Sequence, residues 1–389
     1  MNLFTKPKLE KINTRKAVSQ AFGTPLMKIG KGDLTKPFIN SYNYANSIFV
    51  RFGEDNLFPQ LIDQMYYQSP LHSSIIDFQV NAAIGGGFEI ELPIEKSPEQ
   101  IVNELTFLKT IRANKLIKGI ARDIKMHKRV HFKVTKKGDT ILKLERIMPS
   151  KVRYNSDFSK FWISDNWSSS PVGTPLDAYV QGTAKEKVTQ MLSYIDLDSC
   201  PGQDVYPLDK TVSAFNWCYL DGQSANLQKE NIQRSIFGNL VIARPTEFKT
   251  PEEIRTFREG IETKEGEIVP VLVLSANGKD NLPEVSAFPA NQNDKAFENM
   301  DKRIDDKICQ AHTINPAVMG IERPGALGNG TDIKEAYPIW EKNVVEPFRA
   351  SIEEVFDEIM EIYNVQGNFK INDFSLLEML VSSNNDKTV

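Results

Sequence analysis

The stretch 291–360 constrains this chain most, because it sets two helical periodicities on either side of a loop rich in proline and glycine. Between residues 291 and 312, Phe297, Met300, Ile304 and Ile308 recur every three or four positions and line one side of a predicted helix. Asp294, Glu298, Asp301 and Asp305 follow the same spacing about 100° further round, giving a second stripe that is entirely acidic. Asn315-Pro316 disfavours continuing that helix, and Gly320, Gly325, Gly328 and Gly330 crowd the run that follows. Helical spacing resumes through Ile333, Tyr337, Trp340, Val344, Phe348, Ile352, Phe356 and Ile359. Pro338 and Pro347 should bend this last helix or divide it.

With 389 residues the chain is long enough for two or three domains or one large subunit, and 40% hydrophobic with 25% charged residues is the composition of an ordinary folded protein. No run of about 18 apolar residues is present, so no membrane-spanning helix is expected. Met1-Asn-Leu-Phe-Thr-Lys6 lacks the apolar stretch of a signal peptide. Cys200, Cys218 and Cys309 are scattered, and His72, His127, His131 and His312 are dispersed, so neither a disulfide framework nor a metal cluster is expected. The net charge is −4, yet residues 1–37 carry eight lysines and arginines against Glu10 and Asp33. The remainder is therefore acidic, unlike a protein that grips nucleic acid along a whole face.

Residues 1–45 read as a basic arm broken by Gly23, Pro25, Gly30 and Gly32: either a solvated terminus or a contact for a partner protein or DNA. Ser69-Pro70 predicts a helix start, and Gly85-Gly86-Gly87 its end before the alternating strand Phe88-Glu-Ile-Glu-Leu92. No lysine follows these glycines, so they are not a phosphate loop. Ser97-Pro98-Glu99-Gln100 is a capping box opening one long helix with Val102, Leu105, Leu108, Ile117, Ile120 and Ile124 inward. On its other side Arg112, Lys115, Lys118, Arg122, Lys125 and Arg129 form a continuous basic face, either solvated or a docking surface for phosphates or an acidic neighbour. Residues 130–134 and 141–144 predict a hairpin, 160–210 an irregular connector, and 185–195 a short amphipathic piece.

A helix at 220–237, a strand at 240–243, a capping box at Thr250-Pro251-Glu252-Glu253, an apolar strand at 266–274 and a return strand from Val285 then follow. A small β-α-β-β module is thus bracketed by the helices 220–237 and 291–312. Together with NDKAFENMDKRIDDKICQAHTINPAVMG (293–320) and DIKEAYPIWEKNVVEPFRASIEEVFDEIM (332–360), this arrangement resembles the phage portal proteins of the HK97/SPP1 type. The resemblance covers roughly the last 170 residues, with weaker echoes in the first 150.

The resemblance implies an α+β, elongated portal-type subunit: a basic arm (1–45), an α/β wing (46–218), a first stem helix (219–238), a small α/β clip (239–290) inserted before a second stem helix (291–313), a tunnel loop (314–332), and a wing helix with tail (333–389). It implies a homo-oligomeric ring of about twelve copies at one capsid vertex of the virion, assembled in the host cytoplasm. Double-stranded DNA passes through such a ring without sequence specificity, and terminase, major capsid or scaffolding protein and a head-tail adaptor dock on it. The stem would turn Asp294, Glu298, Asp301 and Asp305 toward DNA, repelling phosphates so that DNA slides, or toward an adjacent stem, pairing with Lys295, Lys302, Arg303 or Lys307. Glu322, Arg323, Gly325, Gly328, Asn329 and Gly330 would belong to the tunnel loop, and Arg255, Arg258, Glu259 and Lys264 to a terminase contact. No P-loop, H-E-x-x-H or G-x-S-x-G pattern is present, and no enzyme, cofactor or metal is expected. The alternative is a basic-faced nucleic-acid-binding or head-tail adaptor protein, monomeric or in a small oligomer, that works through 112–129 and the arm.

Overall fold

A computed structural model describes residues 48–53, 55–92, 97–168, 173–182, 184–237, 240–244, 250–255, 271–275, 293–321 and 331–373. All of them belong to one unit, Phe38–Val389. The expected arm, 1–45, lies outside the described residues.

Local signals start the helices where the sequence places them. Helix α1 (Phe58–Gln68) is followed by Ser69, whose Oγ accepts from the His72 amide at 3.1 Å and caps α2 (Pro70–Ile84). Pro70 occupies the first turn, where a missing N–H costs nothing. The glycines after α2 then bring the chain against residues 372–373: a Cβ on Gly86 would sit 1.9 Å from the Asn372 carbonyl oxygen. They end a helix, as expected, and also allow this close approach before β1 (Phe88–Glu91).

Ser97 and Gln100 exchange both bonds of a capping box, at 3.3 and 2.9 Å, at the start of α3 (Pro98–Thr110). The single long helix expected after this box is in fact two. Arg112 turns left-handed at φ 53°, and α4 (Ala113–His127) begins afresh. Ile111 and Ala113 are both buried, whereas residues two apart on a continuous helix point in opposing directions. The break therefore buries both. Val102 and Leu105, expected inward, are 61% and 50% exposed.

Strands β2 (Arg129–Gly138) and β3 (Thr140–Ile147) form the expected hairpin, with Gly138 at φ 62°. Strands β4 (Val152–Tyr154), β5 (Lys160–Ile163) and β6 (Thr174–Asp177) form an antiparallel sheet in that order. The twelve-residue β7 (Ala184–Ile195) then pairs antiparallel with β2, from Arg129↔Ile195, giving the order β3-β2-β7. This corrects the irregular connector expected at 160–210. A long-range partner supplies the ladder that the local sequence does not announce.

Asp209 accepts from the Thr211 amide at 2.9 Å and caps a 3₁₀ turn, Lys210–Ala214, that feeds the 23-residue α5 (Phe215–Phe237). Strands β8 (Leu240–Arg244) and β9 (Val271–Ser275) pair in parallel, which requires a crossover between them. Residues 251–255 are helical, and Thr250 Oγ1 accepts from the Glu253 amide at 3.3 Å. The return strand expected from Val285 lies outside the described residues.

Helix α6 (Asn293–Ala311) packs along α5. After a 3₁₀ turn at Pro316–Met319, α7 (Thr331–Trp340) holds Pro338 and passes through a π-helical turn, Glu341–Val345, into α8 (Glu346–Ile362). The widened turn is the form the expected proline interruption takes, since Pro347 has no N–H to give a regular helix. Strand β10 (Asn368–Ile371), which was not expected, pairs antiparallel with β1. Its Phe369 ring stacks on Phe356 at 4.0 Å and on Phe88 at 5.1 Å. The core is built from Met65, Ile75, Ile120, Val130, Val152, Ile308, Ile352, Phe356 and Ile371, each essentially inaccessible to solvent.

Candidate functional site

The α5–α6 pair is the element on which the acidic stripe sits. Ile304 and Ile308 are buried, as their spacing requires. Asp301 is half-buried on the seam between the helices: Ser224 Oγ donates to one carboxylate oxygen at 2.6 Å and Gln228 Nε2 to the other at 2.9 Å. One turn earlier Glu298 is exposed and pairs within its own helix with Lys302 at 2.8 Å. Asp305 is half-buried, and the Asp294 side chain lies outside the described part of α6. The stripe is thus split between an exposed carboxylate and one tied to α5 of the same chain. On another side of α6, Arg303 lies 5.9 Å from the Trp217 ring, and Lys307 donates to Gln310 at 3.1 Å.

The end of α6 is fixed to the body by buried polar contacts. His312 Nε2 and His72 Nδ1 are 2.8 Å apart, with the two residues 0% and 2% exposed. His312 Nδ1 has no partner, so the tautomer that leaves no N–H stranded there has Nε2–H donating to His72. Burial holds both rings neutral: His72 is lowered to about 4, against the opposing effect of Asp209, and His312 lies well below its ordinary value, with His72 and Lys125 adding to the effect. Gln79 Nε2 donates to the His312 carbonyl at 3.2 Å, and the Lys210 ammonium donates to Thr313 Oγ1. Asn315 then caps the following turn through its bond from the Ala317 amide at 3.0 Å. The histidine pair did not stand out in the sequence, since His72 and His312 are 240 positions apart.

The expected tunnel-loop residues Glu322, Arg323, Gly325, Gly328, Asn329 and Gly330 lie outside the described residues. So do Arg258, Glu259 and Lys264; Arg255 is exposed at the end of the described helical turn.

The basic face is shorter than expected. Arg112, Lys115, Lys118 and Arg122 are exposed, and Arg122 is paired with Asp77 at 2.9 Å. Lys125 is 9% exposed on the inward side of α4. Arg129 is fully buried in β2, its guanidinium 5.1 Å from the Phe52 ring and 5.2 Å from Tyr206. The helix ends at His127, so the three-and-four spacing that carries 112–122 no longer describes Arg129. Among the described residues no helix is long and apolar enough to cross a membrane, and no group of three or more His, Cys, Asp or Glu is placed to hold a metal ion.

No family model matches the sequence, and no curated protein matches it. Solved structures do. A chain in the neck of an empty GTA particle, computed with C6 symmetry, superimposes with a TM-score of 0.53 at 13% identity, over 84% of this chain and 86% of that one. The chain shares its fold with a GTA neck chain. Over the same shares of both chains, a chain of the native gene transfer agent virion gives a TM-score of 0.51 at 12% identity, and one from the native neck with C12 symmetry gives 0.50 at 13%. These likenesses are of backbone architecture, and they agree with the α+β portal-type fold expected from the sequence.

Proposed function

We propose that this chain is a portal subunit. About twelve copies would close into a ring at one capsid vertex of a virion, with double-stranded DNA moving through the centre during packaging and ejection. The observation that carries this reading is the α5–α6 pair, with β8 and β9 inserted between its helices, in a chain that shares the fold of a GTA neck chain. A conduit needs stiff walls and little affinity for its cargo. The Asp301 clamp ties the two helices together, and the Glu298–Lys302 pair leaves the exposed side of α6 with little net charge to hold phosphates. The terminase, the major capsid or scaffolding protein and the head-tail adaptor are the partners that dock on such a ring, terminase through the segment around Arg255. The chain itself performs no catalysis, needs no cofactor, and assembles in the host cytoplasm.

Removing the gene from a particle-producing genome tests this role. Heads that assemble but stay empty of DNA, restored by supplying the protein in trans, are the expected result. DNA-filled heads in its absence would refute the conduit role.

A further inference from the structure

Between the end of α4, the 196–210 segment and the π-helical turn lies a cavity of about 330 Å³. Lys125, Lys128 and Lys210 all line it. We infer that this cavity is an oxyanion site that takes a phosphate-sized group, with Lys125 as its central ligand.

Lys125 carries the argument. Lys125 is 9% exposed and meets solvent only where it lines the cavity, and an ammonium so poorly hydrated is stabilised by an anion placed there. Among the described residues no hydrogen bond or close ion pair reaches it. The carboxylate that offsets it at longer range, Asp209, already accepts from the Thr211 amide at 2.9 Å. Lys128 is held by Asp196 at 3.4 Å, and Lys210 donates only to a neutral hydroxyl, that of Thr313. Three ammonium groups therefore share two carboxylates, and the cavity keeps an excess of positive charge.

Burial chiefly holds Lys125, His72 and His312 below their ordinary values; Asp209 opposes this at Lys125 and His72, while neighbouring lysines add to it at all three. Leu208, Val344 and Phe348 supply apolar walls, which strengthen an ion pair by excluding water. A tetrahedral phosphate, as the free dianion or as a singly charged backbone diester, offers anionic acceptor oxygens to the lysines that line the cavity. Its source is either free phosphate or a phosphate of a nucleic-acid backbone, and the site does not depend on the conduit reading.

The test uses the full-length chain and inorganic phosphate, titrated against chloride at constant ionic strength and followed by calorimetry and thermal unfolding. Saturable binding with a rise in Tm is expected, both lost in Lys125→Met. Asn343→Asp places a carboxylate on the exposed rim and leaves the core intact. It should weaken binding by about tenfold or more. No saturable binding, or binding undiminished in both variants, overturns the proposal and leaves Lys125 as the counter-charge of Asp209 alone. A short DNA duplex that competes with phosphate in the wild type assigns the site to a backbone phosphate; phosphate binding untouched by the duplex assigns it to the free ion.

Discussion

Acid should weaken this protein through the His72–His312 joint, and the effect can be worked out from the structure. His72 has a folded-state pKa of about 4 against an ordinary 6.5, and His312 is also well below 6.5. Between these values the unfolded chain binds protons that the folded chain refuses, so stability rises with pH. The full contribution is present above 6.5, and it is lost as pH falls toward the folded value. At about pH 5 His72 removes about 2 kcal/mol, and His312 acts in the same direction. Carboxylates with raised pKa values oppose this trend, Asp123 and Glu358 most strongly and Asp357 in the same direction. Burial raises Asp123 to about 7 despite Arg146, and raises Glu358 to about 7 with Glu354 and Glu361 adding to the effect. Those groups take up protons on folding, so the wild-type profile alone is ambiguous.

The difference between wild type and a double variant, His72→Phe with His312→Leu, removes that ambiguity. Urea unfolding at about pH 8 and about pH 5 gives four free energies. The double variant should lose at least about 2 kcal/mol less on acidification than wild type, with His312 adding in the same direction. His72→Phe alone should cost about 1–3 kcal/mol at the higher pH, because His312 is then left without its partner. An equal acid loss in wild type and double variant would refute the claim that the pair is kept neutral by burial.

Further expectations follow from single contacts. Asp301→Ala should destabilise by about 1–3 kcal/mol and show coupling of about 1 kcal/mol with Ser224→Ala in a double-mutant cycle, because a buried hydroxyl loses its acceptor. Glu298→Ala, at an exposed pair on the same helix, should cost under about 0.5 kcal/mol. Gly86→Ala should cost about 2–4 kcal/mol by chemical denaturation, since its Cβ would meet the Asn372 carbonyl, a backbone group unable to swing aside. The thiols of Cys200, Cys218 and Cys309 are buried, and burial pushes Cys218 to about 12, so a thiol reagent should label it only on unfolding.

What the sequence disclosed was governed by distance along the chain. The Ser69 cap, the Ser97–Gln100 box and the β2–β3 hairpin are decided within a few residues, and each lies where local pattern puts it. Strand β7 and the β1–β10 pair owe their form to partners far away, which periodicity cannot register. Arg112 shows a further limit: any residue can fill one position in helical spacing, but its positive φ is imposed by what Ile111 and Ala113 must bury. The same applies to charge. Lys125 and Arg129 fit a basic face by spacing alone, yet tertiary packing puts both inside. The acidic stripe was legible as a pattern, while the tie of Asp301 to Ser224 and Gln228 depended on where α5 lies.

The mass of the purified chain in solution, followed by negative-stain images of the same sample, tests the central claim most directly. A closed ring of about a dozen subunits with a central hole is the predicted result. A homogeneous monomer that binds duplex DNA tightly, and loses that binding when Arg112, Lys115, Lys118 and Arg122 are neutralised, would contradict it and favour the adaptor.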